Sequence, residues 1–199
     1  MAVDFEISAN EWAALGELSG VGAAIQLTEV RERAEALYRE HFAFVWRNAR
    51  RLGCSDEWVD DAVHEVFLVA TRRLAEFEAR SSARTWLFAI TFRVVGRMRR
   101  DRGRRLARVE RYLAEQPALV ADAARETESA QYLRQLLLKL NEAQRVVLIL
   151  AELEGFTSSE IAHTLSVPAG TVDSRLRAAR KQLARELERD RAKHERWRR

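Results

Sequence analysis

Apolar residues recur at steps of three and four through most of the chain, a period that predicts helices rather than strands. Between Val30 and about Arg105 the series Leu37, Phe44, Val45 and Leu52, then Val59, Val63, Val66, Phe67 and Ala70, keeps that step and reads as helices packed on one core. Ser55, placed before Asp56 and Glu57, is expected to cap the second of these helices, with acids in the first turn where the helix dipole favours them. A third helical stretch, residues 85–102, follows the polar run from Glu78 to Arg84, which reads as a loop.

Residues 106–130 lose the period, contain Pro117 and are rich in alanine and acids, so they are expected to form a linker. The period returns with Leu133, Leu136, Leu137 and Leu140, one stripe of an amphipathic helix. Asn141 with Gln144 then predicts a capping box that opens a helix bearing Val146, Val147, Ile149, Leu150 and Leu153, closed by Gly155. Thr157 and Glu160 form a second box. The helix they open is too short to stand alone, so Ile161, Ala162 and Leu165 must face a neighbour. After the turn Ser166-Val167-Pro168 comes a helix with Val172, Leu176, Ala179, Leu183 and Leu187 on one side and Ser174, Arg175, Arg177, Arg180 and Lys181 elsewhere. A short helix, a tight turn and a basic amphipathic helix are the parts of a helix-turn-helix, whose second helix enters the DNA major groove.

Composition narrows the picture. With 47% hydrophobic and 32% charged residues, 8 Gly and 2 Pro, the chain suits a mostly helical protein, and its 199 residues allow two modest cores. The expectation is an all-α chain of two small helical domains, an N-terminal bundle and a C-terminal four-helix domain with the helix-turn-helix, joined by a flexible linker. Cys54 is the single cysteine, so no internal disulfide can form, and no apolar run is long enough to span a membrane. A cytoplasmic protein with no membrane insertion is expected.

The net charge is only +4, but it is unevenly spread. Residues 1–30 hold five acids and no Lys or Arg; residues 93–111 hold nine arginines against Asp101 and Glu110; residues 175–199 hold eleven basic side chains against four acids. Two separated basic segments predict two contacts with a polyanion, since each Lys or Arg on a phosphate releases a condensed counterion. The four histidines (His41, His64, His163 and His194) lack metal-ligand spacing, there is no P-loop or G-x-G-x-x-G, and no nucleophile sits beside an evident base. No metal, cofactor or catalysis is expected.

In this setting the chain resembles the extracytoplasmic-function (ECF, group IV) sigma factors of bacterial RNA polymerase. Leu153-Glu154-Gly155-Phe156-Thr157, Glu160-Ile161-Ala162, Val167-Pro168 and Gly170-Thr171-Val172-Asp173-Ser174-Arg175-Leu176 look like that family's C-terminal promoter-binding domain. Leu37-Tyr38, Asp61-Ala62-Val63-His64-Glu65-Val66-Phe67 and Thr85-Trp86-Leu87-Phe88 resemble its N-terminal regions, in the right order. The resemblance covers roughly residues 31–190 and implies a region 2-like domain at 29–105 and a region 4-like domain at 131–190, joined by the linker at 106–130; an acidic extension at 1–28 and a basic tail at 191–199 lie outside it.

It also implies roles. Asp61, His64 and Glu65 would meet the clamp helices of the largest subunit of core RNA polymerase, with His64 where the family usually has Gln. Arg80, Ser81, Ser82, Arg84, Trp86, Arg93, Arg97 and Arg100 would serve the −10 element, read as flipped-out single-stranded DNA, with Arg93 in place of the usual Asn. The −35 element would be met by Asp173, Ser174, Arg177 and Ala178, with Arg175, Arg180 and Lys181 toward phosphates. Asp173 stands where a base is common and Ala178 where Arg is common, and because a carboxylate accepts from cytosine N4 whereas Arg donates to guanine, an atypical −35 sequence is expected. An anti-sigma partner is implied as well.

Each feature has a plainer reading. Asp61 and Glu65 could be an i, i+4 pair on a wet helix face, and Trp86, beside Leu87 and Phe88, could be core. A stand-alone helix-turn-helix regulator on duplex operators accounts for the C-terminal half equally well but leaves the N-terminal motifs unexplained. The acidic N-terminus, bearing Trp12, Leu15 and Leu18, is open to two roles: a mask over a basic surface, or a disordered tail, which Gly16, Gly20 and Gly22 favour.

Overall fold

A computed structural model describes residues 21–74, 77, 82–110 and 127–197, the side chains of 21–28, 105–110 and 193–197 excepted. Every element among them is helical. In chain order these are α1 (Val21–Arg51), α2 (Val59–Arg72), α3 (Ala83–Glu110), α4 (Glu128–Leu138), α5 (Glu142–Leu148) with a π-helical turn at Ile149–Leu153, α6 (Ser158–Leu165) and α7 (Ala169–Trp197). The chain divides into two compact units, the first Met1–Ala49 with Glu57–Pro117, the second Arg50–Asp56 with Ala118–Arg199.

In the first unit α1 buries Ala34, His41, Phe44, Val45, Asn48 and Ala49, a stripe at helical spacing. α2 is buried more widely, through Val59, Ala62, Val63, Val66, Phe67, Leu68, Ala70 and Thr71, which leaves only a narrow wet strip. Thr85, Leu87, Phe88, Ile90, Thr91, Val94 and Val95 supply the buried face of α3, which packs on α2. Aromatic contact fastens α1 to α2: the rings of Tyr38 and Phe67 meet edge to face at 4.8 Å. The buried polar groups bond along their own helices, Asn48 Nδ2 to the Phe44 carbonyl at 3.0 Å and Thr91 Oγ1 to the Leu87 carbonyl at 2.8 Å.

The second unit gathers Leu136, Leu137, Leu140, Val146, Val147, Leu148, Ile149, Leu150, Ile161, Val172, Leu176 and Ala179 into one core. Thr127 caps α4 and Asn141 caps α5, each side chain accepting from the backbone N–H three residues on. Past α5 the ladder widens: Glu154 N–H reaches the Ile149 carbonyl and Phe156 N–H the Leu150 carbonyl, and Gly155, at φ +72°, takes the left-handed turn. α6 opens on the full Thr157–Glu160 capping box and closes with Ser166 left-handed at φ 53°. Farther along α7, Lys139, just past the end of α4, meets Glu186 at 3.2 Å and Asp190 at 3.7 Å, Tyr132 donates to Asp190 at 3.1 Å, and Gln182 donates to the Lys139 carbonyl at 2.9 Å.

Several local expectations are corrected. Ser55 does not cap α2: the helix opens at Val59 after a turn, its first-turn acids are Asp60 and Asp61, and Asp56 pairs instead with Arg50 at 2.9 Å. At α5 only half of the box forms, because Gln144 Oε1 is buried without a partner and does not return to Asn141. Helix also extends into segments read as tail or linker. α1 begins at Val21, where Gly22 falls in a first turn whose N–H groups lack intrahelical partners in any case and Ala23 and Ala24 follow; α3 runs on to Glu110 and α7 to Trp197. Residues 1–20 and the remainder of the expected linker up to residue 126 lie outside the described residues.

Phe67 tests the first core. Phe67→Ala removes a fully buried ring and its Tyr38 contact, and should destabilise that unit by about 3–5 kcal/mol; a thermal melt followed by circular dichroism would show it as the loss of one transition while the other stays in place.

Candidate nucleic-acid interface

On α2 the narrow wet strip carries Asp61 and His64, both exposed, and Glu65, half-buried. The acid does not stand alone. Arg97 of α3 donates to its carboxylate at 2.5 Å, so two residues expected at different surfaces, one facing polymerase and one facing DNA, are paired with each other.

Arg80 and Ser81 lie outside the described residues. Ser82 is the N-cap of α3, its Oγ accepting from Thr85 N–H at 3.2 Å and sharing a hydrogen bond with the Thr85 hydroxyl at 2.8 Å, which gives it a structural task beyond any contact with DNA. Trp86 is half-buried, unlike its fully buried neighbours Leu87 and Phe88, and stacks on the Phe77 ring at 4.9 Å. A ring held this way has one supported side and some surface in solvent. Arg84 is exposed, with its guanidinium 4.9 Å from the centre of the Phe44 ring. Arg93 and Arg100 are exposed farther along the helix, while Arg102 rests over Trp58 at 5.5 Å and Arg104 pairs with Asp101.

In the second unit, α7 shows its outer face from Asp173 to Lys181. Asp173, Ser174, Arg177, Ala178, Arg180 and Lys181 are exposed and Arg175 is half-buried, while Val172, Leu176 and Ala179 are sealed against the core. Helical spacing places Ser174, Arg177, Ala178 and Lys181 opposite that sealed side. Three of the expected residues have partners. Arg180 grips Glu152 through Nε and Nη2 at 2.8 and 2.5 Å, Ser174 donates to the Thr171 carbonyl at 3.0 Å, and Asp173 accepts from Ser158 of α6 at 2.9 Å. Ser158 and Glu152 were not foreseen. Nothing in a local motif marks them, since they lie fifteen and twenty-eight residues from the groups they bind.

The capping box closes the start of α6. Glu160 accepts from both the Thr157 N–H and the Thr157 hydroxyl at 2.8 Å, bonds that favour the charged form and lower its carboxyl below the usual carboxylate range. Among the described residues no group of His, Cys, Asp and Glu could hold a metal ion, and no helix is long and apolar enough to cross a membrane.

A helical first unit with exposed arginines on α3, followed by a helix-turn-helix whose outer face is basic, has the features of a DNA-binding protein. Comparison with known proteins identifies the family. Residues 37–105 match sigma-70 region 2 and residues 130–183 match sigma-70 region 4. The chain is 30% identical over 154 residues to the ECF RNA polymerase sigma factor SigM of Mycobacterium tuberculosis, covering 77% of this chain and 76% of SigM. It is 35% identical over 133 residues to SigC of the same species, covering 66% and 71%. Among solved structures it is similar to CnrH in complex with the cytosolic domain of CnrY, at 26% identity with a TM-score of 0.60 over 80% of this chain and 90% of that one. The chain belongs to the ECF RNA polymerase sigma factors and directs promoter-specific initiation of transcription.

The lowered Glu160 carboxyl carries a pH dependence with a definite sign. Because the folded value lies below the unfolded one, the stability it contributes is present above the unfolded value, near 4.5, and is lost as pH falls through the folded value. Melts of the wild type and of Glu160→Gln at pH 6 and at pH 3 should differ accordingly, the wild type losing more on acidification than the variant.

Proposed function

We propose that residues 29–105 form the domain that grips core RNA polymerase and opens DNA at the −10 element, and that residues 131–190 form the domain that reads the −35 element as duplex. In this reading Asp61, His64 and Glu65 face the clamp helices of the largest subunit. Asp61 and His64 are exposed on a helix whose other side is buried, and that exposure supports the role. Glu65 would join them by exchanging Arg97 for a polymerase cation, which releases Arg97 to the DNA. Exposed ion pairs of this kind contribute only about 0–1 kcal/mol, so the exchange is cheap.

At the −10 element, Trp86 offers its solvent side as a stacking surface for an unpaired base, with Arg84, Arg93, Arg97 and Arg100 along the strand and Ser82 holding the start of the helix. Arg80 and Ser81 belong to the loop before it. At the −35 element, Asp173, Ser174, Arg177 and Ala178 face base edges, and Arg175, Arg180 and Lys181 face phosphates, Arg180 giving up Glu152 to do so. The observation that carries this reading is the sorting of α7, apolar and sealed on one side, basic and exposed on the other, on a helix anchored by a capped partner.

The chain acts as an initiation factor without catalysis or cofactor of its own, in the cytoplasm where its polymerase works. CnrH was solved with CnrY, and the sigma factor RpoE of Bartonella quintana with the anti-sigma factor NepR; by analogy we infer an anti-sigma partner for this chain. No observation favours a stand-alone operator-binding regulator.

Run-off transcription with core polymerase on a pool of promoter fragments should yield discrete transcripts only when the chain is added; retention on an operator as a dimer, with no effect on polymerase, would overturn the reading. Asp61→Ala should lower transcript yield and leave the selected promoter sequence unchanged. Replacing Asp173 by Arg should shift the preferred base at one −35 position by about 1–3 kcal/mol, read by sequencing the selected fragments.

A further inference from the structure

Several hydroxyls crowd the junction of α6 and α7, and most of them are spent locally. The Thr157 hydroxyl is engaged with Glu160 and Ser159 inside the cap, and Ser174 donates to a carbonyl of its own helix. Ser158 differs: its Oγ crosses the turn and donates to Asp173 Oδ1 at 2.9 Å. We propose that Ser158 is a positioning residue for promoter recognition, which holds the Asp173 carboxylate so that its second oxygen accepts a hydrogen bond from a base amino group at the −35 element. The inference rests on the reading of Asp173 as a base contact.

A carboxylate on a helix rotates broadly about its last torsion, and one donor suffices to restrict it. Ionised, it only accepts, so among major-groove edges it is matched by the amino groups of cytosine or adenine and opposed by the acceptors of guanine and by O4 of thymine. With Oδ1 taken by Ser158, Oδ2 is left for that amino group.

The serine also acts against a competitor. Arg177 follows Asp173 by four residues, the spacing and order in which an acid and a base on one helix attract. Without Ser158 the carboxylate can swing to Arg177, and each of the two would then neutralise the other, withdrawing two contacts from the groove at once. Ser158 thereby keeps an acceptor and a donor apart on adjacent turns, and the base preference depends on that separation.

The test uses the full chain assembled with core polymerase on a promoter library randomised across the −35 element, with the transcripts sequenced. Asp173→Ala should relax the preference at one position by roughly tenfold. Ser158→Ala should relax the same position by about threefold or more, and Ser158→Thr, which keeps the hydroxyl, should restore it. Thermal melts accompany each variant, and an unaltered melt for Ser158→Ala ties its effect to recognition rather than folding; if Ser158→Ala melts early, the decision passes to Ser158→Thr against Ser158→Val, which share a shape and differ by the hydroxyl. A variant lacking the hydroxyl that keeps the wild-type preference, while Asp173→Ala loses it, overturns the proposal and leaves the −35 reading intact. An unchanged preference in Asp173→Ala overturns both.

Discussion

Among the described residues, the charged faces of α2, α3 and α7 are displayed by helices whose other side is sealed in an apolar core, and that one-sided burial is the constraint on which the rest depends. It is most acute at α6. A helix of eight residues is marginal in water by itself, because the cost of nucleation is spread over too few hydrogen bonds. Two things hold it: the reciprocal Thr157–Glu160 cap, which satisfies end groups that would otherwise lack partners, and the burial of Ile161 on the face toward α7, whose Val172 is equally sealed. Remove either and the basic helix loses the neighbour that aims it.

The same economy governs the charges. Glu65 with Arg97, Glu152 with Arg180 and Ser158 with Asp173 are contacts between side chains near the surface, each individually weak in water. An arginine held by about 0–1 kcal/mol can leave such a pair without a large rearrangement. While they are formed, the pairs restrict long side chains at the surface. The farther half of α7 is tied differently: Lys139 and Tyr132 meet Glu186 and Asp190, and Gln182 meets the Lys139 carbonyl at the end of α4, which fixes the axis of α7 well beyond Lys181. There Lys139, paired with Glu186 and Asp190, is held charged above its usual range.

What the amino-acid sequence determined by itself is the set of helices, the identity of most core residues and the character of the two basic surfaces. Periodicity in Leu136, Leu137, Leu140, Val146 and Val147, and again in Val172, Leu176 and Ala179, is a local property, because a helix repeats every 3.6 residues whatever it packs against. The Thr157–Glu160 box is equally local, three residues apart, and Gly155 marks a backbone position with positive φ that glycine alone adopts cheaply. Boundaries were less legible. Ser55 has the chemistry of a cap, yet Arg50 draws Asp56 into a turn and α2 starts four residues later; Gln144 has the chemistry of a box, yet its oxygen is buried away from the Asn141 backbone. At Ser55 a neighbouring ion pair outweighed a preference of about 1 kcal/mol, and at Gln144 burial of the side chain did.

Only the tertiary structure decided which polar residues touch. Ser158 and Asp173, Glu152 and Arg180, and Glu65 and Arg97 are separated by 15, 28 and 32 residues, and no spacing rule along one helix joins them. Their meeting depends on how adjacent helices cross, which is set by the shapes of buried side chains rather than by the polar residues themselves. Trp86 illustrates the same division: the sequence placed an aromatic beside Leu87 and Phe88, but the packing of those two neighbours into the core leaves part of the indole at the surface, where the tilted ring of Phe77 covers only some of it.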